Sequence, residues 1–144
     1  MKELYLLREV FLLAILFAAA VSDICSQTIP NVLAAVSLPP GLAFSILTPQ
    51  KSNMADMAAL VLVLLILFFF WQKGRIGGGD VKLALCVAAL SSAQTGLRLI
   101  ALSFAVSLFA GLLFQLFGRK TQYPLAPGMF LAAVLELSFH GGIV

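Results

Sequence analysis

Charged side chains make up only 10% of the 144 residues, against roughly a quarter in a soluble domain. With 62% of the chain hydrophobic, that shortage excludes a water-soluble globule. Cysteine and histidine are nearly absent. Cys25, Cys86 and His140 are all the chain has, too few for a four-cysteine or a two-cysteine, two-histidine zinc site, and no C-x-x-C pair occurs. No metal, no cofactor and no redox motif are therefore expected. There is no basic tail or face: the net charge of +3 is scattered along the chain, which excludes a nucleic-acid partner. The first apolar run reaches Ser22 and Asp23 with no small-residue cleavage pattern, so it reads as a retained span. No internal repeat is visible.

What the chain does have is apolar length. Six runs stand out, at 4–22, 29–47, 54–71, 81–97, 99–117 and 125–144, each near the length of one bilayer crossing. The expected fold is an all-α membrane protein, a polytopic bundle of about six transmembrane helices forming a single domain over 1–144. Pro39, Pro40 and Gly41 should kink or break the second run, because proline lacks a backbone donor and clashes with the preceding turn. Six alternating spans bring the connections 23–28, 72–80 and 118–124 to one membrane face. That face carries Lys73, Arg75, Lys82, Arg119 and Lys120, against Lys2, Arg8, Lys51 and Arg98 on the other. The small basic excess leans towards a cytoplasmic placement of the three connections.

Ionisable groups at span ends are costly and invite a functional reading. Asp23 closes the first run and Asp80 opens the fourth, both at the face the topology brings together. Each has a plain alternative: Asp80 as a helix cap, Asp23 as an interfacial residue. The surroundings favour more. Gly77, Gly78 and Gly79 precede Asp80 and allow another backbone, such as an extended substrate, to approach. Six residues after Asp23, Ile29, Pro30 and Asn31 open the second run, with proline suited to a first helical turn. Two carboxyls meeting in a poorly hydrated site share one proton. The ionised member then takes a proton from water while the protonated one donates to a scissile carbonyl.

Asp23 followed by Ile29-Pro30-Asn31 resembles the D-x5-I-P-N motif of type IV prepilin peptidases, and Gly77-Gly78-Gly79-Asp80-Val81-Lys82-Leu83 resembles their GxGD-x-K-L motif. Tyr123-Pro124-Leu125-Ala126-Pro127-Gly128 is similar to the proline-containing entry to that family's last helix. The resemblance implies an intramembrane aspartyl peptidase of the bacterial inner membrane. It would remove the short basic leader of prepilin-like partners at the cytoplasmic edge of the lipid bilayer. Asp23 and Asp80 would be the catalytic pair, Gly77 to Gly79 the substrate contact, and Pro30, Asn31, Lys82, Pro124 and Pro127 structural support. Longer members carry an insertion with paired C-x-x-C motifs that accompanies N-methylation. This chain has neither, and is more similar to short members serving tight-adherence pili. It departs from many of those in having Cys25, Ser26, Gln27 and Thr28 where basic residues are common.

The other polar residues read more plainly. Lys82, two positions after Asp80, points away from it on a helix and suits an interfacial role. Glu136, midway along the last run, reads as a packing group, with His140 four residues on as a candidate partner. Asp56 reads as an interfacial cap, and Cys25 lacks a histidine to activate it. Phe68 to Trp71 read as lipid-facing bulk. The competing class is a small transporter or proton-relay subunit using the same two aspartates, which predicts mid-bilayer acids and an internal repeat.

Overall fold

The computed structural model describes residues 2–26, 29–47, 53–116 and 125–140, in which the chain forms six α-helices and no strand. These are α1 (Lys2–Ser26), α2 (Asn31–Leu47), α3 (Met54–Gln72), α4 (Gly78–Leu90), α5 (Ala93–Leu116) and α6 (Leu125–His140). Three contain stretches long and apolar enough to cross a membrane: Glu3–Ser26, Met54–Gln72 and Ala93–Leu113. The others are shorter, and α4, with 13 residues, reaches only about 20 Å.

The boundaries of α4 and α5 differ from the hydropathy reading of 81–97 and 99–117. Helix α4 stops at Leu90 and α5 starts at Ala93. The Ser91 hydroxyl turns back to the Val87 carbonyl at 2.6 Å. Ser92 then starts the next helix: its Oγ accepts the Thr95 N–H at 3.1 Å, and its carbonyl accepts the Gly96 N–H at 2.7 Å. Serine and threonine here act as a helix stop and an N-cap, where hydropathy sees only diluted apolar character. The expected break at Pro39 and Pro40 is also absent, since α2 runs through both. Gly41 explains how: a Cβ there would stand 3.0 Å from the Ala89 Cβ and 3.2 Å from its carbonyl oxygen. Helix α2 thus lies directly on α4, and packing against a neighbour sustains proline inside a membrane helix.

Short α4 is the centre of the bundle. Val81, Leu83, Ala84, Cys86, Val87 and Leu90 are buried, and α1, α2, α3, α5 and α6 all pack on it. Its far end is closed by Arg8 of α1, only 2% exposed, whose Nε donates to the Leu90 carbonyl at 2.9 Å. A cation there satisfies a terminal carbonyl and the negative end of the helix dipole. Helices α5 and α6 meet across small residues: a Cβ on Gly128 would fall 2.6 Å from Ser107 Oγ and 3.0 Å from the Ser103 carbonyl oxygen. Without a hydrophobic force between helices in lipid, such close approach is what holds them. Helix α3 is peripheral, with Val61, Leu62, Leu65, Phe68, Phe69 and Phe70 exposed, a surface suited to lipid.

Candidate active site

The near end of α4 is built by a sharp reversal after α3. The Gly74 N–H donates to the Trp71 carbonyl at 2.8 Å and the Arg75 N–H to the Phe70 carbonyl at 3.0 Å. Gly74 has φ 67°. This is a Schellman closure, and it places the positive φ at Gly74. Gly77, Gly78 and Gly79 have no positive φ. Gly77 is the N-cap of α4, and Gly78 and Gly79 are its first two residues.

The space the glycines leave is filled from within the chain. A Cβ on Gly78 would stand 2.9 Å from the Trp71 indole nitrogen, and one on Gly79 would stand 3.0 to 3.1 Å from Cβ, Cγ1 and Cδ1 of Ile29. The approach they permit is therefore that of Trp71 and of the segment leading into α2; only Gly77 of the three is exposed.

Asp80 lies in the first turn of α4, outside the three long apolar stretches. Its N–H donates to the Gly77 carbonyl at 3.1 Å, and its carboxylate accepts the Gly77 N–H in return, a reciprocal arrangement like a capping box. Burial, and then the charge of Asp23, push its carboxyl up to about 6, against the pull of that N–H. Asp23 sits in the last turns of α1, which continues to Ser26; the connection assigned to 23–28 is still helix at its start. The Ser26 hydroxyl donates to the Ser22 carbonyl at 2.7 Å within this extension. Asp23 is 7% exposed, and its Oδ2 accepts the backbone N–H of Ala126, in the first turn of α6, at 3.3 Å. The two acids, 57 positions apart in the sequence, thus feel each other across converging ends of α1, α4 and α6.

Of the residues to which the sequence assigns support, those described lie at the ends of α2, α4 and α6. The Lys82 ammonium donates to Asn31 Oδ1, tying α4 to the start of α2. The Pro30 carbonyl accepts the Leu33 N–H at 3.1 Å, so Pro30 precedes α2 and opens it. Pro127 is half-buried in the first turn of α6, and Pro124 lies outside the described residues. Asp56 stands in the first turn of α3, and Cys25 is exposed. Among the described residues, no three or more of His, Cys, Asp and Glu come together.

Sequence reasoning passed over three groups. Arg8 reads as a terminal basic residue and is instead a buried cap. Arg98 reads as part of a connection; it lies on α5, with its guanidinium 3.5 Å from Glu136 Oε1. The third is the Ala126 N–H, a backbone donor that no side-chain pattern announces. The side chain of His140 lies outside the description.

Comparison with known proteins bears on the same stretch. The profile of the type IV leader peptidase family matches residues 10–116. A prepilin leader peptidase/N-methyltransferase of Bacillus subtilis is 27% identical over 151 aligned residues, covering 99% of this chain and 59% of that protein. A heme A synthase of Beijerinckia indica is 35% identical over 113 residues, covering 70% of this chain and 30% of that protein. The chain thus spans less than two thirds of either relative. No solved structure matches.

Proposed function

Because the chain belongs to the type IV leader peptidase family, we propose that it is an intramembrane aspartyl endopeptidase with Asp23 and Asp80 as its catalytic pair. It removes the short basic leader of prepilin-like substrates at the cytoplasmic face of the bacterial inner membrane. The observation that carries this reading is that α1, α4 and α6 bring Asp23 and Asp80 near enough for Asp80, raised to about 6 by burial, to feel the charge of Asp23 as well. A cap or an interfacial acid standing alone has no need of the other acid's field.

In the reaction, the ionised carboxyl takes a proton from a water molecule as its oxygen bonds to the scissile carbonyl carbon, while the protonated carboxyl hands its proton to the carbonyl oxygen. The tetrahedral diol then collapses. The C–N bond breaks, the leaving amine gains a proton from the carboxyl that took it from water, and a diol hydroxyl gives its proton to the other carboxyl as the C=O bond reforms, restoring the shared proton to the pair. The scissile segment must be extended first, because a helix shields its own peptide bonds. Gly77, exposed beside Asp80, is where an extended backbone meets the pair. Gly78 and Gly79 contribute by letting Trp71 and Ile29 close over the first turn of α4. Lys82, Asn31, Pro30 and Pro127 fix the helix ends, with Pro124 assigned the same role from its place in the sequence.

The substrates are prepilins or pseudopilins of a tight-adherence system, and the chain does not methylate its product, having no C-x-x-C pair. The test is to incubate the purified protein in lipid with candidate prepilins and sequence the new N-terminus. A single cut between the basic leader and the apolar helix is expected. Intact substrates across such a set would refute the assignment.

A further inference from the structure

Resting on the reading of Asp23 and Asp80 as the catalytic pair, we infer that the first turn of α6 is a positioning element of the active site. Through the backbone N–H of Ala126 it holds and orients the Asp23 carboxyl. Residues 125–140 lie beyond the 10–116 that the family profile matches, yet they supply Asp23 with an N–H donor from another helix. The contact is built into the interior: Ala126 is fully buried and Asp23 nearly so. It is also fixed along the helix axis. Helix α6 packs on both α1 and α5, and the backbone of Gly128, two residues on, rests on Ser107 and the Ser103 carbonyl with no room for a methyl group. The next residue, Pro127, has no N–H to compete for the carboxylate.

An N–H aimed at a carboxylate, at the positive end of a helix dipole, favours the charged form over the protonated one. The two acids differ in where that N–H comes from. Asp80 takes its N–H from Gly77 of its own turn, whereas Asp23 takes its N–H from another helix. Ala126 touches no reacting atom and acts through Asp23.

The test removes the N–H and leaves the side chain. The full-length protein is made by nonsense suppression with the α-hydroxy analogue of alanine at position 126, and separately with alanine restored by the same route. An α-hydroxy analogue of leucine at the exposed, mid-helix Leu131 serves as the control for general weakening of α6. The probe is a synthetic peptide with a lysine-rich leader ahead of a 20-residue apolar helix. Loss of a hydrogen bond to a charged group corresponds to about a tenfold effect or more. The ester at 126 is therefore expected to lower kcat about tenfold with KM within about twofold, while the Leu131 ester keeps the parent kcat.

A second readout needs no turnover. A hydrophobic carbodiimide modifies only protonated carboxyls, so labelling of Asp23 at pH 7, located by mass spectrometry, is expected to be several-fold faster in the 126 ester than in the restored protein. Parent-like kcat and labelling in the 126 ester overturn the inference, as does an equal loss in the Leu131 ester. A parent protein that leaves the peptide uncut refutes the peptidase reading instead, and the labelling arm still decides the Asp23 contact.

Discussion

Gly79→Ala is the smallest change that separates a glycine needed for packing from one needed for a flexible turn. The added Cβ would stand 3.0 Å from Ile29 Cβ and 3.1 Å from its Cγ1 and Cδ1, whereas carbon atoms in good contact sit about 3.5–4.0 Å apart. The neighbour must retreat by about half an ångström. Ile29 is β-branched and stiff, and one of the clashing atoms is its Cβ, which moves only with the backbone. Overpacking of this kind costs about 1–3 kcal/mol. Against it stands the helix preference for alanine over glycine, at most about 1 kcal/mol, and less in a first turn. The net expectation is a destabilisation of about 1–2 kcal/mol, larger for Gly79→Val, with cleavage falling alongside. The assay is a double-mutant cycle on reversible unfolding in mixed micelles. Gly79→Ala is measured in the parent and in an Ile29→Ala background, where the methyl finds room. The cost should largely vanish there, giving a coupling of about 1 kcal/mol or more. An equal cost in both backgrounds, or a Gly79→Ala protein more stable than the parent, would refute the packing argument.

Further outcomes follow from the structure. Asp80, raised to about 6, binds a proton in the folded state at pH values where the unfolded chain has already lost it. Thermal stability should therefore fall as pH rises between about 4 and 6, and Asp80→Asn should flatten that slope in a melting series. Arg8→Met removes the donor to the Leu90 carbonyl and should cost about 1.5–3 kcal/mol, read by unfolding at fixed lipid composition. Ser107 Oγ is buried with no hydrogen-bond partner among the described residues, so Ser107→Ala should leave the melting temperature unchanged or raise it, whereas Gly128→Val, forced against Ser107 and the Ser103 carbonyl, should lower it by several degrees.

Much of the architecture was legible in the sequence because membrane helices announce themselves by apolar length, and six runs became six helices. That the helix ends carrying Asp23 and Asp80 face the same side of the bundle was legible through motif order and alternation of spans. The α4 and α5 boundaries were not. Hydropathy averages Ser91 and Ser92 as mildly polar, while their effect comes from single hydroxyls bonded to particular backbone groups. Pro39 and Pro40 read as a break because local chemistry says so; the close seat of Gly41 on Ala89 is a tertiary fact. The partners of Arg8 and Glu136 depend on helix register, which no single segment encodes. The glycines before Asp80 were recognised as sites of close approach, but what approaches Gly78 and Gly79 is Trp71 and Ile29.

The central claim is that two carboxyls act as one unit, and it is tested most directly by leader removal in Asp23→Asn and Asp80→Asn, each purified in lipid beside the parent. Asparagine keeps the shape and neither accepts nor releases a proton at neutral pH, so each variant should fold, insert and lose cleavage by a factor of about 10² to 10⁴. Parent-like cleavage in either folded variant would contradict the two-aspartate account.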